Sequence, residues 1–110
     1  MYKYFKESEL KNLDPKLCKM LDKARGFASV PFKITSGYRT PEKNKDVGGV
    51  KDSSHTQGLA VDLLVRDSTS GGKILLGLAK AGFKRFGFYK DGHIHVDIDK
   101  EKPSPCYWIK

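Results

Sequence analysis

Two short segments of the chain hold all three of its histidines, and each segment also holds an aspartate. His55 precedes Asp62 by seven positions, and His95 follows His55 by 40 positions, with His93 just before it. Neutral imidazoles and a carboxylate are ligands that zinc and related divalent metals take from proteins. If His55, Asp62 and His95 meet in the fold, they form a three-ligand site with an open coordination position. Water in such a position is deprotonated near neutral pH, so the pattern indicates hydrolytic chemistry.

Taken singly, these residues also have ordinary structural explanations. Asp62 stands inside the apolar run 59–65, where a carboxylate is costly to bury unless it is paired or binds a cation. The same aspartate would be stable on the solvent side of an edge strand or beside one of the many lysines. His55 ends a polar loop and would be unremarkable as a surface residue. The coincidence of all three histidines with this aspartate is what favours a metal site.

The second segment alternates between polar and apolar residues, as a half-buried strand does. Period two places His93, His95 and Asp97 on one face and the apolar residues at 94, 96 and 98 on the other. Because the apolar face should cover the core, we expect the polar face to line an open surface or a cleft.

Hydrophobic periodicity and turn residues predict the elements that must position these segments. Asp14 and Pro15 are an N-cap and a first helical residue, and the apolar spacing continues to about Phe27. Further along, the patterns predict a strand over 32–35, a polar loop over 42–54, a buried strand over 59–65, a helix after caps at 68–70, and a hairpin over 87–98. The tail is expected to pack through Tyr107 and Trp108. We therefore expect one α+β domain over residues 1–110, a small antiparallel sheet with helices on one side.

The composition narrows the possible partners. The net charge of +8 would attract any polyanion, including anionic lipid and the phosphate-bearing polymers of a bacterial wall. Since no nucleic-acid-binding motif accompanies the charge, we expect no specific nucleic acid partner. No apolar run reaches about 18 residues, and the first residues lack the pattern of a signal peptide. We expect a monomer made in the cytoplasm, with Cys18 and Cys106 as reduced thiols.

Four motifs resemble those of one known enzyme family. They are S-G-Y-R-T-P at 36–41, Gly48-Gly49, S-x-H-x-x-G-x-A-x-D at 53–62 and H-x-H-V-D at 93–97. Together they resemble the D-alanyl-D-alanine carboxypeptidase family of zinc peptidases. That family includes L-alanyl-D-glutamate endopeptidases and shares its fold with the N-terminal Hedgehog signalling domain. The resemblance covers roughly residues 13–99 and is greatest to the short, phage-type members.

The resemblance implies a function and a role for each matching residue. It implies Zn²⁺ held by His55, Asp62 and His95, and a substrate drawn from the peptides of bacterial peptidoglycan. Arg39 would orient that substrate and polarise its carbonyl or carboxylate, a role that suits a rigid guanidinium fork. Ser53 would help to position substrate at the mouth of the site. The enzyme would be a carboxypeptidase or an endopeptidase, acting on the wall after release as a phage endolysin does.

One position departs from the family pattern. Many members carry an acidic residue three positions before the last zinc histidine, where this chain has Gly92. Three nearby side chains are therefore candidates for proton transfer. His93 is favoured over Asp91, and Asp97 is the least favoured because it suits a supporting role beside a histidine.

Two other functions fit part of the pattern. A non-catalytic zinc-containing module that binds the wall or a partner would keep the fold and the metal, and the glycine at 92 leaves room for it. An Fe(II) oxygenase would use two histidines and one carboxylate as well. Those enzymes have H-x-D/E spacing on a larger double-sheet barrel, and this chain shows no sign of one.

Overall fold

The computed structural model describes residues 2–110, which form three α-helices, two 3-10 turns and five β-strands. The helices are α1 (Pro15–Ala28), α2 (Pro41–Asp46) and α3 (Ser68–Lys80), and the 3-10 turns are Glu7–Leu10 and Ser54–Gln57. The strands are β1 (Ile34–Ser36), β2 (Ala60–Leu64), β3 (Arg85–Phe88), β4 (His93–Asp97) and β5 (Cys106–Ile109). The predicted α+β class is confirmed.

Each helix begins at the kind of cap that its sequence offers. The Asp14 carboxylate accepts a hydrogen bond from the backbone N–H of Lys16, and proline follows at the first helical position, as predicted. For α3 the cap is Asp67, not the predicted serines and threonine at 68–70. Its carboxylate accepts the N–H of Ser70 at 2.8 Å, and the helix begins at Ser68. A cap at Ser68 would have placed the first helical residue one position later.

The sheet has the order β1-β2-β4-β3-β5. Its first four strands are antiparallel, as predicted, but β5 pairs with β3 in parallel and makes the sheet mixed. Residues 98–105 pass the first residue of β3, so the tail adds an edge strand that begins beside Arg85 and runs in the same direction as β3. Trp108 packs against Gly87, where a Cβ would lie 2.6 Å from the indole ring. Tyr107, in contrast, is exposed. The predicted packing of the tail is therefore right for Trp108 and wrong for Tyr107.

The core lies between one face of this sheet and the two long helices. Its largest fully buried side chains come from α1, α3, β2 and β4: Leu17, Leu21, Val61, Leu63, Ile74, Leu78 and Val96. The helices meet closely at Gly77, where a Cβ would lie 2.6 Å from the carbonyl oxygen of Ala24. Helices on one side of the sheet, as predicted, leave the other face of β2 and β4 free to carry polar residues.

Two local predictions were wrong. The segment 42–54 was expected to be a polar loop, but most of α2 lies in its first part. The Thr40 hydroxyl caps this helix, and Pro41 is its first residue. A six-residue helix has too few apolar positions to show helical periodicity. The strand expected over 32–35 lies instead at Ile34–Ser36.

Two further observations bear on the chemistry of the chain. Cys18 is buried, Cys106 is partly exposed, and both are free thiols in the structure. Among residues 2–110, no helix is both long and apolar enough to cross a membrane.

We expect Leu78→Ala to lower the free energy of unfolding by about 2–5 kcal/mol, because the truncation leaves a cavity in the core. Leu76→Ala on the same helix is the matched control. Leu76 is 73% exposed and Leu78 is 0% exposed, so the control should change stability by about 0.5 kcal/mol or less. Urea denaturation of the three proteins measures the difference, and equal losses in both variants would contradict this description of the core.

Candidate metal centre

Strand pairing brings two of the predicted ligands together. In the antiparallel register of β2 and β4, Asp62 lies directly opposite His95. Because Val61 and Leu63 face the core, the side chain between them projects from the other face of the sheet. Asp62 and His95 are therefore neighbours on the face that the helices leave uncovered.

The third ligand reaches this face from the 3-10 turn before β2. Ser53 caps that turn by accepting the N–H of His55, and Gly58 ends it with φ +71°. A side chain at Gly58 would be strained in that conformation, and its Cβ would lie 2.4 Å from the carbonyl oxygen of Asn12. The turn is thus held between its cap and the chain before α1, which directs the His55 ring toward Asp62.

The predicted ligand set converges on one carboxylate oxygen. Asp62 Oδ1 lies 3.2 Å from His55 Nε2 and 3.1 Å from His95 Nδ1. One donor atom from each of the three residues lies within 4.8 Å of the others, and all three side chains are largely buried. The structure therefore brings together the His/Asp/His group that the sequence spacing predicted.

The remaining ring nitrogens show which atoms are free to bind a metal. His55 Nδ1 lies 2.8 Å from the carbonyl oxygen of Gly37, and His95 Nε2 lies 2.8 Å from Asp97 Oδ2. Both partners are acceptors, so these nitrogens carry hydrogen, and in neutral rings the other nitrogens present lone pairs to Asp62. Lone pairs that converge on a buried carboxylate repel one another unless a cation lies between them. Protons or a divalent metal such as zinc would satisfy this arrangement.

The electrostatics of the group follow from burial and from its internal contacts. Burial alone would raise the pKa of Asp62, but hydrogen bonds and charge from His55 and His95 outweigh it and hold the pKa well below its usual value. Burial would likewise lower the pKa of His95, yet contacts with Asp62 and Asp97 raise it. The pKa of Asp97 is lowered in turn, because hydrogen bonds from His95 and from the backbone N–H of Asp99 outweigh its burial. Without a metal, the contacts with Asp62 and Asp97 therefore favour the protonated form of His95.

His95 is supported from behind by a second pair of charged residues. Arg85 Nε donates to Asp97 Oδ1 at 2.8 Å, while the other oxygen of Asp97 faces His95. The Arg85 guanidinium also lies over the Trp108 ring, 5.0 Å from its centroid, and that ring lies 5.3 Å from the His95 ring. The resulting Arg85–Asp97–His95 series fixes the ring orientation of the ligand.

Arg39 lies on the opposite side of Asp62. Its Nη2 is 3.4 Å from Asp62 Oδ2, and its Nε donates to Ser36 Oγ at 3.1 Å. Its backbone N–H donates to the carbonyl oxygen of His55, which joins the S-G-Y-R segment to the ligand turn. The side chain remains partly exposed and lines the cleft above the ligands.

The three candidates for proton transfer occupy different positions. His93 Nε2 lies 3.8 Å from Asp62 Oδ2, its Nδ1 contacts the Asp91 carboxylate, and its ring stacks on Tyr89 with 4.1 Å between centroids. Asp91 itself is largely exposed and reaches the centre only through His93. Asp97 lies behind His95, bonded to Arg85, and its carboxylate faces away from the three converging donor atoms.

An open cleft of about 430 Å³ lies over the group. Ser53, predicted to stand at its mouth, lines the cleft but is mostly buried as the cap of the ligand turn. Sequence reasoning missed several other lining residues, among them Arg85, Tyr89, Trp108 and Lys110. Arg85, between the aromatic residues Phe83 and Phe86, was one available signal, since a buried guanidinium needs a partner.

Comparisons with known proteins bear on the family and the fold of the chain. A sequence profile of the family described as peptidase M15 matches residues 4–97. The structure of the L-Ala D-Glu endopeptidase ChiX from Serratia marcescens is similar to this chain, with a TM-score of 0.67 and 19% sequence identity. The similarity covers 86% of each chain, and at this identity it establishes the fold. None of the curated proteins that were compared is a significant sequence match.

In chelator-treated protein we expect Asp97→Asn to lower the pKa of His95, because the substitution removes one of two carboxylates that raise it. Because the pKa of His95 is higher in the folded protein than in the unfolded chain, its protonation stabilises the fold. This contribution is complete at pH values below the unfolded pKa, near 6.5, and is lost as the pH rises through the folded pKa. NMR titration of the His95 ring and pH-dependent denaturation measure both effects. Asp46→Asn, at an exposed position, is the control, and an unchanged His95 pKa in Asp97→Asn would contradict the assignment.

Proposed function

We propose, because the chain belongs to the peptidase M15 family, that it is a zinc-dependent peptidase that hydrolyses peptides of bacterial peptidoglycan. The observation that carries the proposal is the convergence of two histidine ring nitrogens, His55 Nε2 and His95 Nδ1, on the buried Asp62 carboxylate at the floor of an open cleft. Structural similarity to an L-Ala D-Glu endopeptidase supports a substrate of the same kind.

The proposed metal ligands are His55 Nε2, Asp62 and His95 Nδ1, since the other nitrogen of each ring is already engaged. When bound, zinc supplies Lewis acidity and lowers the pKa of water. The protein holds the ligand atoms in place through Gly37 and Asp97, which fix the two ring tautomers.

Arg39 is the proposed substrate ligand. It lies beside the metal ligands, and its guanidinium is permanently charged and presents donors in a fixed plane. A carbonyl or carboxylate of the substrate that accepts from this group would be polarised and held at a defined distance from Asp62. Ser53 lines the same cleft and offers a hydroxyl to the bound peptide.

His93 is the proposed proton carrier. Its Nε2 is directed to the ligand group, while Asp91 holds Nδ1 and Tyr89 stacks against the ring. A histidine supported in this way can accept a proton at Nε2 and pass it to a leaving amine. Asp91 orients the His93 ring, whereas Asp97 supports His95.

The charge of the chain suits the proposed substrate and setting. Arg39, Lys102 and Lys110 line the cleft, and a net charge of +8 favours an anionic bacterial wall. A phage-type endolysin that is synthesised in the cytoplasm and reaches the wall on lysis would combine these properties. A non-catalytic wall-binding module is the alternative, and the glycine at position 92 is the observation that favours it.

We expect His95→Ala to lose stoichiometric zinc, because the site then retains only two protein ligands. His93→Ala should keep zinc, because that ring does not belong to the converging group. Metal analysis of the purified proteins by inductively coupled plasma mass spectrometry tests this assignment. Full zinc occupancy in His95→Ala, or its loss in His93→Ala, would reverse the roles of the two histidines.

The decisive test of function is mass spectrometry of the fragments that zinc-loaded protein releases from defined muropeptides. We expect cleavage within the stem peptide, and a fall of about 10²- to 10⁴-fold in kcat for His93→Ala because general acid–base catalysis is lost. Asp91→Asn should lose less, since it removes only the group that orients His93. Zinc-loaded protein that binds wall but releases no fragment from any wall type would favour the binding module.

A further inference from the structure

Arg39 is held from behind by Asn44, a residue that does not itself line the cleft. Asn44 belongs to α2 and is only 3% exposed. Its Oδ1 accepts from Arg39 Nη1 at 3.1 Å, and its Nδ2 donates to the carbonyl oxygen of Val50 at 2.7 Å. Because the guanidinium can only donate and the carbonyl can only accept, the two partners together fix the orientation of the amide.

The loop of residues 47–50 closes directly over this amide. The N–H of Gly49 donates to the backbone oxygen of Asn44 at 2.8 Å. A Cβ on Gly49 would lie 2.0 Å from Asn44 Oδ1, so a larger residue would push the amide aside. Val47 and Val50, at the two ends of the loop, are exposed and line the cleft. The same amide therefore contacts both the guanidinium and the loop at the cleft mouth.

We propose that Asn44 is a positioning residue that acts through Arg39, holding the guanidinium beside Asp62 and joining it to the loop of residues 47–50. This inference rests on the function proposed above for Arg39. An arginine side chain has many rotamers, and Arg39 reaches Asp62 only at 3.4 Å. Ser36 at Nε and Asn44 at Nη1 are the two neutral contacts that select one rotamer. The loop and the guanidinium are thus joined through a single amide.

The first experiment is a double-mutant cycle on kcat/KM with a defined muropeptide. Asn44→Ala should lower kcat/KM by about 10- to 100-fold, the effect of losing a hydrogen bond to a charged group. In an Arg39→Ala background the same substitution should cost about 2-fold or less, because its target is gone. Glu42→Ala, at an exposed position of α2, is the control and should match the wild type. Additive losses in the cycle would overturn the proposal.

Two further variants test the proposal even if Asn44→Ala does not fold. Asn44→Asp is nearly isosteric and retains the acceptor for Arg39 but not the donor to Val50. It should keep most of the activity while trypsin cleaves faster after Lys51 in the loosened loop. Gly49→Ala leaves Asn44 and Arg39 in the chain and should lose activity as Asn44→Ala does. Full activity in Gly49→Ala, or equal loss in Asn44→Asp and Asn44→Ala, would overturn the proposal.

A measurement without substrate separates this inference from the proposed function. Hydrogen exchange at Arg39 Nε, followed by NMR, should be several-fold faster in Asn44→Ala than in the wild type, because the guanidinium is no longer held. If the zinc-loaded wild type cleaves no muropeptide, the proposed function fails, and this exchange rate still decides whether Asn44 fixes Arg39. An exchange rate unchanged by Asn44→Ala would overturn the inference.

Discussion

The buried carboxylate of Asp62 is the constraint on which the rest of the site depends. It lies on a central strand with four groups directed at it: His55, His95, His93 and Arg39. An ionised carboxylate in such a place is costly unless positive charge surrounds it. Each neighbouring segment contributes one of these four side chains, so the ligand turn, the S-G-Y-R segment and the hairpin are all organised around Asp62. A cation among these donors would complete the balance.

The register of the sheet fixes the core and the site at once. Val61 and Leu63 alternate with Asp62 on β2, and Ile94 and Val96 alternate with the two histidines on β4. A slip of one residue in either strand would move its polar side chains into the core and its apolar ones into the cleft. The helices that pack on the apolar face therefore also hold Asp62 opposite His95. Packing energy and site geometry are linked through this single register.

Features that depend on the local spacing of residues, such as the polar face of β4, could be predicted from the sequence. Alternation in β4 places His93 and His95 on the polar face, and the carboxylate at 62 is conspicuous in its apolar run. The support of His95 by Arg85 through Asp97 depends instead on how β3 and β4 pair, which local spacing does not contain.

The same limit applies to Asn44 and to β5. Asn44 is one polar residue in a charged six-residue helix, and only the approach of residues 47–50 gives it a distinct environment. The parallel pairing of β5 with β3 depends on the path of residues 98–105 around the sheet. Contacts between residues that are distant in the sequence produce no periodic pattern from which they could be predicted.

The turn before β4 explains why this chain differs from the family pattern at position 92. Gly92 has φ +93°, its carbonyl oxygen accepts the N–H of Val65 at 2.7 Å, and a Cβ there would lie 3.3 Å from the Val65 carbonyl oxygen. An acidic residue at 92 would be strained in this backbone and crowded against that carbonyl. The carboxylate that this turn supplies is therefore Asp91, on its exposed side, and it contacts the ligand group only through the His93 ring. If the chain hydrolyses peptides, this backbone supports the proposal that the His93 imidazole carries the proton and that the Asp91 carboxylate supports it.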